Sequence, residues 1–505
     1  MLKSIKTSFK DTLIYGFGNV AVKVVGLILI PLYTNPAYFS VDDFGVLGIL
    51  EISALVLTAF MASALPQSLN RWFWDKDFRD KQKGIFFMTL ITQAAVSLVF
   101  CLVLTPLSGN ISELIFSKTD WSQAIALVII SSGIQSLNNI INTLMRLQSR
   151  SVLYTTTNIF RLSAVLGLTL FFIVSKKMGL EGIYLAQAIG NGAVVLFLLG
   201  YAIRNSKPYF DKVVFRSMNA YGFPLYLANI SAVLLNVIDR YSLNSMALLK
   251  SVALYTLAFK ISSVIKLVLL DSLKLAIGPV MFKKLDAPDN KRFYTKVLLY
   301  SSFVIMFAIV GISMFSLEVI KLMTNSREFW GAVLIVPILA LSVYFVNLKD
   351  FSVYGLHFAK KTKVIGSIVV FSTVVSLVCN IIFIPLWGII GAAIATLISQ
   401  VIYWGACYYF SQKAFFIPYE LRKIFIMLFL GSVLSFSSLL LNGLDLLPRL
   451  LLKTIGFLSF PFLLYLFSFY EAVELQAIKG FAVKWSNPAK FGENIRSLKK
   501  LREDY

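Results

Sequence analysis

The chain has 505 residues, a formal net charge of +22, 58% hydrophobic and only 14% charged residues, and a mean hydropathy of +0.79. These values exclude a soluble domain and describe a polytopic membrane protein. The basic residues are spread over eight loops and tails, not gathered on one surface, which excludes a nucleic-acid binder.

A helix needs about 20 residues to cross roughly 30 Å of hydrocarbon. On that measure fourteen spans are predicted, over 12–33, 44–66, 84–106, 121–146, 152–175, 180–203, 218–243, 251–282, 294–320, 329–348, 364–385, 387–410, 422–441 and 449–469. The first follows MLKSIKTSFK with no small-residue cleavage site, and reads as a helix that stays attached. Its face carries Gly16, Asn19 and Lys23. The second holds Glu51. The fourth bears Gln135, Asn138, Asn139, Asn142 and Arg146, and the fifth Tyr154, Thr157, Asn158 and Arg161.

On the seventh span Asn229, Asn236 and Arg240 share a face, with Asp239 turned about 100° from Arg240. The two neighbours are therefore expected to have separate partners, with Lys260 as one possible partner of Asp239. Arg240 has two open readings: a cavity residue near the outer mouth, or a side chain snorkelling to the interface. On the eighth span Lys260, Asp271 and Lys274 fall within roughly 60° of each other, and Lys266 lies off that face. A charge at the bilayer centre costs about 2.5 to 3.5 kcal/mol, so such a ladder must face protein or water. The buried set Lys23, Arg161, Arg240, Lys260, Lys266 and Lys274 outnumbers Glu51, Asp239 and Asp271, which makes a cationic cavity suited to an anion.

Lys and Arg stay on the cytoplasmic side. With the N-terminus inside, about 32 basic residues fall on inner segments and about 7 on outer ones. Both termini are thus expected to be cytoplasmic. Cys101, Cys379 and Cys407 lie in apolar runs without metal-ligand spacing and read as small apolar filler. With His357 as the single histidine, no metal or cofactor is expected, and no GxxxxGK[ST] loop is present to hold ATP.

The chain also repeats itself. Met178 to Gly190 lies over Trp387 to Ser399 at an offset of 209, and the same shift lays Gly45 to Ser53 over Leu254 to Ser262, so that Glu51 meets Lys260. Six spans per copy is an even number, so the copies have one orientation and a pseudo-twofold axis along the membrane normal. The expected organisation is a six-helix lobe over 1–204, a second over 205–412, two additional helices over 413–470 and a cytoplasmic tail over 471–505. The fold class is an all-α polytopic membrane protein of about 14 transmembrane helices.

Four segments carry a family resemblance: Val41 to Asp75, Tyr221 to Ser245, Ala253 to Ser262 and Asn380 to Ser399, with "FG" opening span two, "DR" closing span seven, "LYT" opening span eight and "GIIGAA" opening span twelve. Together they resemble the Wzx-type bacterial polysaccharide (O-antigen) flippases of the multidrug/oligosaccharidyl-lipid/polysaccharide exporter superfamily. The resemblance implies a transporter, not an enzyme, in the bacterial inner membrane. It would move an undecaprenyl-pyrophosphate-linked oligosaccharide to the outer leaflet by alternating access, alongside membrane lipids, a polysaccharide polymerase and chain-length machinery. On the residues, Lys23, Arg161, Arg240, Lys260 and Lys274 are the candidates for the pyrophosphate. Asn19, Asn139, Asn142, Asn229 and Asn236 are those for the glycan. Glu51 and Asp271 either exchange an ion or neutralise neighbouring lysines. The alternatives are a lipid II flippase and a multidrug/cation antiporter of the same superfamily. A polymerase or ligase needs a large external loop, whereas the longest outer connection is about 14 residues.

Overall fold

The computed structural model describes residues 26–476, and among them every regular element is helical. Asn19 and Lys23, with most of the first expected span, lie outside the described residues. Twelve helices are long and apolar enough to cross a membrane. One of them, Thr362–Ala414, has 53 residues and bends at Gly388, whose φ of 54° and ψ of −126° leave the helical region. At 1.5 Å per residue it would extend about 80 Å, so it is two crossings. The described residues thus hold thirteen crossings at the expected positions.

Two crossings are broken where continuous helices were expected over 44–66 and 218–243. Ser40 and Asp43 form a capping box that starts Val41–Met61, and the helix stops at Ala62, where ψ is 112°. It restarts as Leu65–Trp72, with Pro66 in its first turn. Backbone groups freed inside a membrane need new partners. Gln93, on the neighbouring Gln82–Leu104 helix, supplies them: its Nε2 donates to the Met61 carbonyl at 2.8 Å and its Oε1 accepts from the Ser63 N–H at 3.0 Å. The seventh crossing breaks between Lys212–Leu235 and Ile238–Met246. The eighth is a chain of Leu249–Ile265, a π-turn at Lys266–Leu270, and Asp271–Lys283.

The two copies of the repeat meet along Val41–Met61 and Leu249–Ile265. A Cβ on Gly45 would lie 2.4 Å from the Leu249 carbonyl oxygen, and one on Gly48 2.4 Å from the Thr256 hydroxyl. Gly45, Gly48 and Glu51 follow at i, i+3 and i+6 on one face, where small residues let two helices approach closely. On the side away from the basic loops the seam is closed. Thr34 Oγ1 donates to the Met323 carbonyl at 3.2 Å, Asn325 Nδ2 to that of Pro31 at 3.2 Å, and Asn244 Nδ2 to that of Ile115 at 2.6 Å.

The last two helices, Leu421–Leu441 and Leu446–Leu466, pack on Asn290–Met314, with Phe307 stacked on Phe457 at 4.4 Å. Glu318 locks the second of them through Arg449 and Lys453, both at 2.8 Å.

A close backbone crossing joins Leu65–Trp72 to Lys212–Leu235: Ser68 Oγ donates to the Met218 carbonyl at 2.5 Å, and a Cβ on Gly222 would lie 2.0 Å from the Ala64 carbonyl oxygen. Backbone cannot yield as a side chain can. Gly222→Ala is expected to destabilise the protein by about 1–3 kcal/mol. Gly366→Ala, where nothing lies within 4 Å, should instead stabilise it by about 0.4–1 kcal/mol. Thermal unfolding of the two purified variants checks this, and equal midpoints would refute the close crossing.

Candidate functional site

Arg161 lies about ten residues into the Ser151–Leu170 helix, some 15 Å from its start, which is the middle of a 30 Å membrane. Its Nη1 donates to Gln135 Oε1 and, at 3.4 Å, to Asn191 Oδ1. Both acceptors are held in turn. Gln135 Nε2 donates to Asn139 Oδ1 at 3.0 Å. Asn191 Nδ2 donates to Ser131 Oγ at 3.2 Å, and its carbonyl accepts from Asn138 Nδ2 at 3.1 Å. The arrangement follows from helix spacing, since Ser131 and Gln135 are one turn apart on Ser122–Leu147, and Gln187 and Asn191 one turn apart on Gly179–Arg204.

These side chains line two adjoining cavities of about 370 and 230 Å³, which share Glu51, Gln135, Gln187 and Asn191. Arg161 opens on the smaller one. Glu51, on the rim of both, accepts from Lys260 Nζ at 2.7 Å across the seam. The two positions that the repeat superposes are therefore in contact, which is expected only beside the twofold axis. Lys260 belongs to Glu51, and the expected pairing of Lys260 with Asp239 is not formed.

The rest of the expected ladder on the eighth crossing is divided. The π-turn inserts an extra residue per turn, so Lys266 and Asp271, five apart, approach to 3.8 Å. Lys274 turns to Asp350 on Val336–Phe358 at 2.8 Å. Among the described members of the buried basic set, Lys260, Lys266, Lys274 and Arg240 each have a carboxylate, and Arg161 alone rests on neutral amides.

Asp239 and Arg240 do form one bridge, contrary to the helical-wheel expectation: Arg240 Nε is 3.6 Å from Asp239 Oδ1. The break at Asn236 is the reason. It leaves the Asn236 carbonyl without a helical donor, and Arg240 Nη2 folds back to supply one at 2.8 Å, with its guanidinium 4.3 Å above the Phe259 ring. Asp239 also accepts from its neighbour's backbone N–H at 2.8 Å and from the Tyr255 hydroxyl. Both residues are buried. Asp239→Ala and Arg240→Ala are each expected to lower the amount of folded protein, by about 3 to 5 kcal/mol of stability, because each strands a buried charge. Arg240→Lys should recover only part, since it lacks the planar fork that spans carboxylate and carbonyl. Protein per cell and unfolding midpoint are the measurements, and wild-type values for both alanine variants would return Arg240 to a snorkelling role.

Of the expected glycan residues, Asn139 is exposed on the cavity-bearing helix and Asn142 is half-buried one turn on. Asn229 is exposed, and Asn236 lines a separate cavity of about 50 Å³ with Asp239 and Lys266. Asn139 reaches the Arg161 network through Gln135, and the other three are not gathered around Arg161. Gln187 and Asn191 are, and the sequence reading passed over them although their i, i+4 spacing was a usable signal. It also missed Lys349 and Asp350, because the tenth span was ended at 348 and charges beyond a span read as loop.

A bundle of thirteen described crossings, with a mid-membrane cation opening on a polar cavity beside the seam of two repeats, defines a polytopic membrane protein with a buried polar site. Solved membrane transporters share this fold. An inward-facing multidrug resistance MATE family transporter aligns at TM-score 0.62 and 14% identity, over 81% of this chain and 99% of its own. The lipid II flippase MurJ, in an inward closed conformation, aligns at 0.61 and 15%, over 92% and 99%. A MOP superfamily transporter from Pyrococcus furiosus, described as having a binding pocket of reverse polarity, aligns at 0.56 and 15%, over 81% and 92%. At these identities the likeness concerns the fold. No curated protein is a detectable sequence relative. The family model of the polysaccharide biosynthesis proteins matches residues 8–285, more than half of the sequence, and the chain belongs to that family.

Proposed function

We propose that the protein flips an undecaprenyl-pyrophosphate-linked oligosaccharide, the repeat unit of an O-antigen, capsule or exopolysaccharide, from the inner to the outer leaflet of the bacterial inner membrane. It works by alternating access between lobes over 1–204 and 205–412, with both termini cytoplasmic. The observation that carries this reading is Arg161, a mid-membrane guanidinium held by neutral acceptors and open to a cavity. A cation kept there at a cost of about 2.5–3.5 kcal/mol, and left without a carboxylate, is suited to an arriving anion. A guanidinium engages two phosphate oxygens together, and the amides of Gln135, Gln187 and Asn191 offer hydrogen bonds to sugar hydroxyls. Undecaprenyl stays in lipid. A polymerase and chain-length machinery then receive the unit on the outer side. Glu51 and Asp271 are the acidic groups proposed to exchange a proton or sodium ion.

Loss of the protein is expected to stop surface polysaccharide while lipid-linked repeat units accumulate on the inner leaflet. Units that reach the outer leaflet and stay unpolymerised would instead mean an enzyme. Efflux of a cationic dye would support the antiporter reading, which the unpaired cavity cation disfavours. A lipid II flippase is the second reading, favoured by the 92% of the chain aligned with MurJ. Rescue of peptidoglycan synthesis in cells lacking a lipid II flippase would select it.

A further inference from the structure

One charged cluster in the second lobe is not part of the cavity around Arg161. The Asp350 carboxylate binds two ammonium groups, Lys349 through Oδ1 and Lys274 through Oδ2 at 2.8 Å. Lys349 is largely covered and lies 4.9 Å from the centre of the Tyr403 ring, whereas the Lys274 side chain is 41% exposed. One carboxylate is neutralised by one ammonium. Lys349 therefore suffices as the counter-ion of buried Asp350, and Lys274 is free to leave the pair without stranding a buried charge, which is the costly event in breaking such bridges.

Position supports a use for that freedom. Lys274 is nine residues from the Lys283 end of its helix, and Asp350 eight from Phe358, about 14 and 12 Å of helix respectively. Both ends lead into basic loops, so the cluster lies in the half of the membrane on that side. One turn beyond Lys274, Gly278 leaves room for the Tyr354 hydroxyl, which would lie 3.2 Å from a Cβ there. A second donor thus stands on the same face.

We propose that Lys274 is a second anion-binding station, for a phosphate or pyrophosphate headgroup arriving from the inner side, and that Lys349 is the positioning residue that releases Lys274 by neutralising Asp350. That the headgroup is the substrate's rests on the flippase reading. An anionic phospholipid presents the same chemistry.

The test uses the full chain in nanodiscs of zwitterionic lipid, with undecaprenyl pyrophosphate and phosphatidic acid as separate probes. Lys274→Met is expected to weaken undecaprenyl pyrophosphate binding by about ten- to a hundredfold, the worth of one charged hydrogen bond. Lys274→Arg should retain it. Lys349→Met should weaken it as well, although Lys349 touches no ligand, because Lys274 is then tied to Asp350. Asp350→Asn should strengthen it. A merely structural cluster would not move in opposite directions, so unchanged binding in Lys349→Met or weakened binding in Asp350→Asn overturns the proposal. The two readings fail separately. Binding that falls on Arg161→Gln but not on Lys274→Met overturns the station and keeps the flippase. Phosphatidic acid bound with the full variant pattern, while undecaprenyl pyrophosphate is not bound, keeps the phosphate station and overturns the flippase.

Discussion

Arg161→Gln is expected to abolish transport of lipid-linked oligosaccharide while leaving the protein at least as abundant as wild type. The two effects have one origin. Arg161 is a cation in the middle of the membrane whose partners, Gln135 and Asn191, are neutral. Its removal relieves an electrostatic cost of about 2.5–3.5 kcal/mol, and the neutral amide that replaces it brings no such cost. What is lost is the charge. A guanidinium that engages two phosphate oxygens contributes about 1.5–3 kcal/mol per charged hydrogen bond, so pyrophosphate affinity should fall by roughly two to four orders of magnitude. Arg161→Lys should recover part of it, since lysine keeps the charge and lacks the fork. Transport per molecule in reconstituted vesicles is the measurement. A wild-type rate in Arg161→Gln would leave the cavity without an anion role.

The second large effect concerns Glu51 and Lys260. Glu51→Lys places two ammonium groups face to face where the present contact is 2.7 Å, against a seam closed by Gly45 and Gly48. The pair is partly exposed, so the cost lies between the limits for surface and buried bridges, on the order of 1–3 kcal/mol. Activity should be lost and abundance reduced. Because the two positions are equivalent in the repeat, the exchange Glu51→Lys with Lys260→Glu rebuilds the bridge with its poles reversed, and both properties should recover. Glu51→Gln should fold and yet transport with a weaker dependence on the ion gradient. If the exchanged pair stays as impaired as Glu51→Lys, the bridge is not what joins the two copies. If wild type and Glu51→Gln depend equally on the gradient, Glu51 is not the coupling group.

Much of the architecture was legible because the membrane imposes it. A crossing must be an apolar helix of about 20 residues, since hydrocarbon offers no partner for backbone polar groups. The number and places of the crossings, the Gly388 boundary and the duplication at an offset of 209 that puts Glu51 against Lys260 all follow from one-dimensional regularities. The broken helices were not legible. Whether the chain can stop at Ala62 depends on Gln93, some thirty residues away, reaching Met61 and Ser63. Whether it can stop at Asn236 depends on Arg240 folding back to the freed carbonyl.

The site divides in the same way. By composition the sequence determined that this is a membrane protein with buried cations in excess, and by motif that it resembles polysaccharide flippases. Only the tertiary structure decided which of the described cations is uncompensated. The wheel grouped Lys260, Asp271 and Lys274 on one face, but the π-turn at Lys266–Leu270 and the nearness of Glu51 and Asp350 sent them to separate partners. A charge's partner is set by distances of a few ångströms between helices remote in sequence, and helical periodicity reports only the direction in which a side chain leaves its own helix. Arg161 stands apart from Lys260, Lys274 and Arg240 because of what the folded neighbours lack: Gln135 and Asn191 are amides, and no described carboxylate reaches its guanidinium.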